Sequence, residues 1–280
     1  MSKNKSPAFA DLEYEMFRRL INEQFGLDYP AHKRDVLAHR IRRQMVRAKV
    51  ESIADYYKLL RATSNMSSDV WRGFADAITN NETYFFRERH HFEHVASLLP
   101  AIRSRGDGTV RALSAGCSSG EEAYSMAMVI DTEDTRGRFE VCGVDISSTK
   151  INEAKAGRYK DRKFEADEAP PANVQFERYF ERDAGDWLVK DELRSRVDFQ
   201  RLNLADSAAM GALGGFDIVF CRNVLIYAHE QSFGRFVDSL RSVLRPGGYL
   251  FVGQCESLFG RTQALDSVRM GNQFVYTRAS

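Results

Sequence analysis

The chain carries polar residues directly after a strongly apolar run, where a strand of an α/β sheet would end. Residues 217–221 predict a buried strand, which Arg222, Asn223 and Tyr227 follow closely. Ligands of α/β sheets bind in the crevice beyond the carboxyl ends of the strands. Asn223 and Tyr227 are therefore predicted to lie at an active site.

A turn of small residues and an acid at a strand end form a second candidate feature. The sequence Gly-Cys-Ser-Ser-Gly at 116–120 lies between a predicted strand and a predicted helix. Glycine there lets the backbone approach a cofactor closely, and the helix N-terminus favours anionic groups. The next predicted strand ends in Asp145, at the position where dinucleotide-type folds bind ribose hydroxyls. Together the two features predict a site for a nucleotide-type cofactor.

A sheet must hold these residues at one edge, and the periodicity after Thr109 predicts one. Alternating strands and helices indicate a mostly parallel sheet covered on both faces. Residues 158–196 interrupt the alternation with many charges and short apolar runs, which predicts a small antiparallel insertion. Before Ile78 the apolar residues recur at helical spacing, which predicts an all-helical module. Strands are predicted at 109–114, 139–145, 197–202, 216–221, 248–253 and 273–277, and helices at 88–103, 121–130, 148–156 and 230–244.

Composition argues against several classes of protein. The formal net charge of +1 gives no bias toward nucleic acid or a membrane surface. No apolar run approaches the roughly 18 residues of a membrane span, and no secretory signal is visible, so a cytoplasmic protein is expected. The four cysteines are widely spaced and predict reduced thiols, without metal or disulfide. His90 and His91 would point apart on a helix, so they predict surface histidines and no metal site.

Together with the Pro-Gly-Gly turn at 246–248, these features resemble the fold of class I S-adenosylmethionine-dependent methyltransferases. Four segments narrow the resemblance to the CheR family, the chemotaxis-receptor glutamate O-methyltransferases. The similarity runs from about Phe9 to Thr277. The segments are Asn-Asn-Glu-Thr-Tyr-Phe-Phe-Arg-Glu at 80–88, Ser-Gly-Glu-Glu at 119–122, Asn-Leu at 203–204 and Cys-Arg-Asn-Val-Leu-Ile-Tyr at 221–227.

The resemblance implies an α/β fold of class I, preceded by a small all-helical domain and carrying a small β insertion. The expected domains are 1–78 for substrate recognition and 79–280 for methyl transfer, with 158–196 as a β-subdomain. The implied cofactor is S-adenosylmethionine, with S-adenosylhomocysteine as product. The implied partners are cytoplasmic domains of methyl-accepting chemotaxis receptors, without nucleic acid or membrane insertion. We expect a monomer in the cytoplasm, recruited to receptor arrays at the inner membrane.

The resemblance also implies roles for individual residues. Asp145 would hydrogen-bond the ribose diol, and Glu122, slightly preferred over Glu121, would hold the cofactor's cationic amine. Arg87 would hold the carboxylate of the methionine part or orient the substrate carboxylate, and Tyr227 would wall the methyl-transfer channel. The structural alternatives are a helix N-cap or turn carboxylate for Asp145, an ion pair for Arg87 and a core position for Tyr227. The predicted cofactor-binding set is Asn81, Thr83, Arg87, Gly116, Glu121, Glu122, Asp145, Asn203, Leu204, Asn223 and Val224.

A basic stripe on the second predicted helix is the candidate docking surface. Between His32 and Lys49 there are seven lysines or arginines against one acid. Such a stripe attracts acidic partners, although many are only solvated faces. The receptors of this family present acidic helical bundles, so Arg40, Arg43 and Arg47 are predicted to dock them.

The absence of a catalytic dyad agrees with carboxyl methylation. A glutamate with an unperturbed pKa of about 4.3 is already ionised at pH 7, so it needs no general base. One rival is a hydrolase with Ser118 in a Gly-x-Ser-x-Gly turn, together with Asp217 and His229. The others are a cofactor-binding signalling adaptor without turnover, and a methyltransferase of nucleic acid or another substrate class.

Overall fold

The computed structural model describes residues 9–105, 107–133, 137–164 and 169–279. The chain forms two compact units. One comprises the residues up to Asn80 together with Tyr227–Ser232, and the other comprises Asn81–Ile226 together with Phe233–Ser280. No helix within the described ranges is long and apolar enough to span a membrane.

The first unit differs from the sequence-based division, which ended it at residue 78 and left 227–232 in the second domain. The backbone explains the difference. The Asp28 N–H donates to the Tyr227 carbonyl at 2.8 Å, and the His229 N–H donates to the Gly26 carbonyl at 2.8 Å. These bonds pair the segment with the end of the first helix, and no sequence periodicity indicates such a pairing.

The first unit is helical, and its aromatic residues form its core. Ser52 and Ser68 each cap a helix by accepting a backbone N–H. Phe17 lies 6.2 Å from Tyr56 and 5.9 Å from Phe74 between ring centroids, and all three rings are buried. The helices are α1 Asp11–Phe25, α2 Arg34–Ala48, α3 Ile53–Ala62 and α4 Asp69–Ile78.

The second unit is built on a seven-stranded sheet with the order β6-β2-β1-β7-β8-β10-β9. The first five strands in that order are parallel, and β10 runs antiparallel to both of its neighbours. The strands are β1 Val110–Ala115, β2 Phe139–Asp145, β3 Arg158–Tyr159, β4 Phe180–Asp183, β5 Asp186–Val189, β6 Val197–Arg201, β7 Phe216–Cys221, β8 Leu244–Val252, β9 Asp266–Met270 and β10 Gln273–Thr277. The helices are α5 His90–Arg103, α6 Glu121–Glu133, α7 Ser148–Ala156, α8 Phe176–Tyr179, α9 Asp191–Arg194, α10 Ser207–Gly211 and α11 Glu230–Val243.

The interruption at 158–196 contains the antiparallel strands that the sequence predicts. β3, β5 and β4 form a separate three-stranded sheet. Phe85, Phe164 and Phe180 pack on one another, with 4.7 Å between the stacked rings of the first two. Residues 165–168 of the insertion lie outside the described ranges. The described residues confirm the predicted fold class.

One strand of the large sheet was missed by the sequence reasoning. β9 is an edge strand, and four of its five residues are exposed. A strand without a buried face needs no alternation of apolar and polar residues, so periodicity could not find it.

Candidate active site

The carboxyl ends of the parallel strands bring the predicted residues to one edge of the sheet. Ala115 of β1 pairs with Val144 of β2, and Asp145 pairs with Arg201 of β6. On the other side of β1, Ser114 pairs with Phe220 of β7. The turns that begin at the ends of these strands therefore share an edge. Those turns carry Gly116, Asp145, Asn203, Leu204, Asn223 and Val224.

The turn after β1 needs glycine at its first residue for two reasons. Gly116 has a φ of +88°, in the left-handed region that favours glycine. A Cβ atom there would lie 2.5 Å from Cγ2 of Val224. Its backbone N–H also donates to the Val144 carbonyl at 2.8 Å. The turn is thus held against β2 on one side and against Val224 on the other.

Asp145 fixes the glycine turn. Its carboxylate is buried, with Oδ2 accepting from the Ser118 N–H at 2.9 Å and Oδ1 accepting from the Ser147 N–H at 2.8 Å. A carboxylate is an acceptor-only group, of the kind to which ribose hydroxyls can donate. The side chain therefore acts as a turn carboxylate, an alternative that the sequence left open, while Ser147 caps α7, and from this position it can also meet a ligand.

The two adjacent glutamates at the start of α6 have different partners. Glu121 is fully buried, with Oε1 2.7 Å from Nζ of Lys163 and with a hydrogen bond from Ser119. Glu122 accepts from Oγ of Ser114 at 2.6 Å, and its Oε2 lies 3.2 Å from Nη1 of Arg222. Burial raises the pKa of both carboxyl groups, while the neighbouring cations oppose the rise. Glu121 is thus paired with Lys163, and Glu122 with Arg222.

Arg222 is a site residue to which the sequence assigned no role. Its side chain is 1% exposed, and Nη2 lies 3.3 Å from Oε2 of Glu88. Nη2 also donates to the carbonyl oxygen of Arg87, and Nη1 faces Glu122. The available signal was a charged residue immediately after the apolar, buried end of a strand at 218–221, a place where a buried cation requires partners.

The predicted cofactor-contacting segment before α5 is held through its backbone. Lys163 Nζ donates to the Thr83 carbonyl at 2.8 Å, and Ser118 Oγ donates to the Asn81 carbonyl at 3.3 Å. The half-buried Arg87 donates to the Glu82 carbonyl at 3.3 Å. The segment is therefore tied to both the glycine turn and the insertion.

The turns after β6 and β7 position their asparagines in different ways. Asn203 Oδ1 accepts from the Ala205 N–H at 3.0 Å, and Leu204 is buried. Asn223 has a φ of +58°, and its N–H donates to Oε2 of Glu256 at 2.7 Å. The same carboxylate accepts the N–H groups of Gly253 and Ile226. Sequence reasoning missed Glu256 because it lies 33 residues from Asn223 along the chain.

Tyr227 and Arg40 both belong to the helical unit. The Tyr227 hydroxyl accepts from Nδ2 of Asn80 at 2.9 Å. Arg40 Nη1 donates to the Tyr29 hydroxyl at 2.5 Å and to the Thr79 carbonyl at 3.3 Å. Arg40 thus braces the helical unit from within, a role that the sequence did not predict, and its docking role stays a prediction. Arg43 and Arg47 are exposed, together with Val46 at 79%.

The alternative hypothesis of a hydrolase that uses Ser118, Asp217 and His229 is wrong. Asp217 pairs with Arg245 at 2.9 Å and accepts from the Arg111 N–H at 2.9 Å, at the amino ends of the strands. Ser118 follows the carboxyl end of β1. A six-residue strand therefore separates Asp217 from Ser118 by roughly 15 Å, which prevents a triad.

His91 also departs from the sequence prediction, because it is buried. Its ring centroid lies 5.6 Å from that of Phe251, and burial lowers its pKa to about 2. Donor atoms of Glu88, His90 and His91 lie within 4.8 Å of one another. The guanidinium of Arg222 stands 3.3 Å from the Glu88 carboxylate, and this positive charge opposes a metal cation there.

The sheet order, the glycine turn after β1 and the acid at the end of β2 define a class I S-adenosylmethionine-dependent methyltransferase. The donor set fits this cofactor, since buried carboxylates suit a ribose diol and a cationic amine. Residues 81–274 match the CheR methyltransferase S-adenosylmethionine-binding domain, and residues 12–79 match the CheR methyltransferase all-alpha domain. The chain belongs to the CheR methyltransferase family, which confirms the resemblance seen in the sequence.

Three relatives illustrate the similarity. Chemotaxis protein methyltransferase 1 of Pseudomonas aeruginosa is 34% identical over 258 residues, covering 89% of this chain and 91% of that protein. Chemotaxis protein methyltransferase Cher2 of Pseudomonas putida is 33% identical over 275 residues, covering 95% and 98%. The chemotaxis protein methyltransferase of Escherichia coli is 35% identical over 256 residues, covering 89% and 86%. The likeness therefore spans both units and nearly the whole length of each relative.

Proposed function

We propose that the protein transfers the methyl group of S-adenosylmethionine to glutamate side-chain carboxylates in the cytoplasmic helices of chemoreceptors, giving glutamate methyl esters. The observation that carries the proposal is the match of both units to the CheR methyltransferase domains. The carboxylates of Asp145 and Glu122 support it, because both are held near the ends of neighbouring parallel strands.

When bound, S-adenosylmethionine supplies an electrophilic methyl group on a sulfonium ion. Asp145 is proposed to accept from the ribose diol, and the close backbone at Gly116 is proposed to lie along the cofactor. The turn residues after β6 and β7 are proposed to flank its adenine and methionine parts. They are Asn203, Leu204, Asn223 and Val224, together with Asn81 and Thr83 before α5.

Between the two glutamates of α6, Glu122 is the better candidate for holding the cationic amine. Each glutamate already has a cation and a serine as partners, but Glu121 is fully enclosed. The Glu122 side chain keeps 15% exposure. A ligand can therefore approach Glu122 from solvent, whereas bringing a second cation beside the enclosed Glu121 would carry a large desolvation cost.

On the substrate side, the residues have to orient a carboxylate that is already ionised. Methyl transfer requires in-line approach at short distance, so positioning and exclusion of water make the main contribution. Arg87 is proposed to orient either the cofactor's own carboxylate or the substrate glutamate, as a guanidinium fork suits both. Tyr227 is proposed to line the channel through which the methyl group is transferred.

The helical unit is proposed to select the receptor through the exposed cations of α2. Arg43 and Arg47 lie one turn apart on that helix and are free of the internal role that Arg40 has. They are suited to an acidic helical surface, where exposed charges mainly increase the rate of association. We further propose that the protein acts as a monomer in the cytoplasm, recruited to receptor arrays at the inner membrane.

Calorimetry with S-adenosylmethionine and S-adenosylhomocysteine tests cofactor binding, and transfer of a tritiated methyl group to receptor cytoplasmic fragments tests the reaction. The expected product is a labelled fragment that releases its label as methanol in mild base, as an ester does. The matched control is the same fragment with its accepting glutamates changed to glutamine. Cofactor binding without labelling would favour an adaptor, and equal labelling of the control would exclude glutamate as the acceptor.

A further inference from the structure

Arg222 is the most completely buried lysine or arginine among the described residues. Its guanidinium faces Glu88 and Glu122 at 3.3 and 3.2 Å, and its Nε has no hydrogen-bond partner among the described residues. Burying a cation with one N–H group unsatisfied costs stability, and hydrophobic residues of similar volume are often at least as stabilising. Stability alone therefore gives a weak reason for arginine here.

The backbone around Arg87 supplies a stronger reason. Phe86 and Glu88 have φ values of +55° and +56°, in the left-handed region that residues with side chains rarely adopt. Two left-handed residues among three consecutive ones keep this strained conformation only when their surroundings hold them. Ser125 Oγ accepts from the Phe86 N–H at 3.1 Å, and Arg222 Nη2 donates to the carbonyl oxygen between the two strained residues.

The same guanidinium also contacts Glu122, the residue proposed to hold the cofactor's amine. Its Nη1 lies against Glu122, which Ser114 holds from the other side at 2.6 Å. The planar guanidinium therefore connects the strained segment before α5 with the first turn of α6. Asn223, a predicted cofactor-binding residue, is the next residue in the chain. A lysine ammonium carries the same charge but cannot reproduce the fixed directions of these N–H groups.

We propose that Arg222 is a positioning residue for methyl transfer: it fixes the backbone that projects Arg87, and it holds Glu122 in place for the cofactor's amine. The inference deepens the proposed function and rests on it. Burial raises the pKa of Glu122, and the positive charge of Arg222 is the largest influence in the opposite direction. The cation therefore also helps to keep Glu122 ionised.

The test compares Arg222→Lys with Arg196→Lys. Arg196 makes a similar bridge, from Asp131 at 2.8 Å to the Gly137 carbonyl at 2.9 Å, but it lies at the amino end of β6. Each variant is assayed at the same interval below its own unfolding temperature. Under that condition we expect Arg222→Lys to weaken S-adenosylhomocysteine binding about 5- to 10-fold by calorimetry. We expect kcat for receptor methylation to fall about 10- to 100-fold, and Arg196→Lys to change neither quantity.

Double variants separate positioning from general damage. If Arg222 acts through Arg87, then Arg87→Ala combined with Arg222→Lys should have the kcat of Arg87→Ala alone, within about twofold. Glu122→Gln should likewise remove the effect of Arg222→Lys on S-adenosylhomocysteine affinity. The proposal would be overturned if the losses caused by the two single changes multiplied in both double variants, in kcat for the first and in affinity for the second. It would also be overturned if Arg222→Lys behaved like Arg196→Lys.

Glu88→Gln provides a second route if Arg222→Lys does not fold. It removes one carboxylate from the guanidinium while the cation stays, so it should lower kcat and leave S-adenosylhomocysteine affinity within about twofold. An unchanged kcat would count against the inference. Wild-type protein that binds cofactor but methylates no receptor fragment would instead refute the proposed function, whatever the variants do.

Discussion

Replacing Gly116 with alanine tests whether the glycine turn is as tightly packed as the structure shows. The added Cβ would lie 2.5 Å from Cγ2 of Val224, far inside normal contact distance. The backbone φ of +88° adds a separate strain. Gly185 is a matched control, because its φ is +87° but a Cβ there would meet nothing within 4 Å. Gly185→Ala therefore measures the backbone strain alone.

The two contributions can be estimated separately. Left-handed backbone costs an alanine about 1–2 kcal/mol, which should apply to both variants. Forcing a methyl group into a packed site costs about 1–3 kcal/mol more, and only Gly116→Ala should show it. Val224 is β-branched and has few alternative rotamers, so it cannot easily move away. The expected difference in unfolding free energy between the two variants is therefore about 1–3 kcal/mol.

Urea unfolding gives the two free energies, and calorimetry gives the affinity for S-adenosylhomocysteine. Gly116→Ala should weaken binding as well as stability, whereas Gly185→Ala should leave binding unchanged. Adding Val224→Ala should recover most of the extra cost, because it removes the methyl group that collides. Equal destabilisation by the two glycine changes, or no recovery in the double variant, would refute the account of this turn.

Four further outcomes are expected. Asp145→Ala should weaken S-adenosylmethionine binding by roughly 1–3 kcal/mol in calorimetry, and an unchanged affinity would remove Asp145 from the site. The pKa of His91 is lowered from 6.5 to about 2, so the folded protein takes up this proton less readily than the unfolded chain and loses stability as the pH falls below 6.5. Between pH 7 and 5, the unfolding free energy of the wild type should fall about 2 kcal/mol more than that of His91→Gln, and parallel curves would contradict the buried neutral histidine. Changing Arg43 and Arg47 together to alanine should slow receptor methylation at low salt and reduce its salt dependence without lowering stability. Arg40→Ala should instead destabilise the protein by about 1–3 kcal/mol, a contrast that a purely solvated stripe would not give.

The sequence alone was enough for the features that depend on neighbours along the chain. Helix α7 has the bounds 148–156 that the sequence predicts, because Ser147 caps its first turn and Gly157 ends it with a φ of +61°. The glycine turn and Asp145 were also visible, since each follows an apolar strand at a spacing fixed by the fold class. Their assignment to cofactor binding remains a prediction.

The tertiary structure decided the features that join distant parts of the chain. Arg222 and Glu122 are 100 residues apart in sequence, and Lys163 reaches Glu121 from the insertion. Periodicity reports which face of an element is buried, but it does not report which charged groups meet once several elements have packed. For the same reason the sequence could not distinguish Arg40, which braces the helical unit, from Arg43, which faces solvent on the same helix.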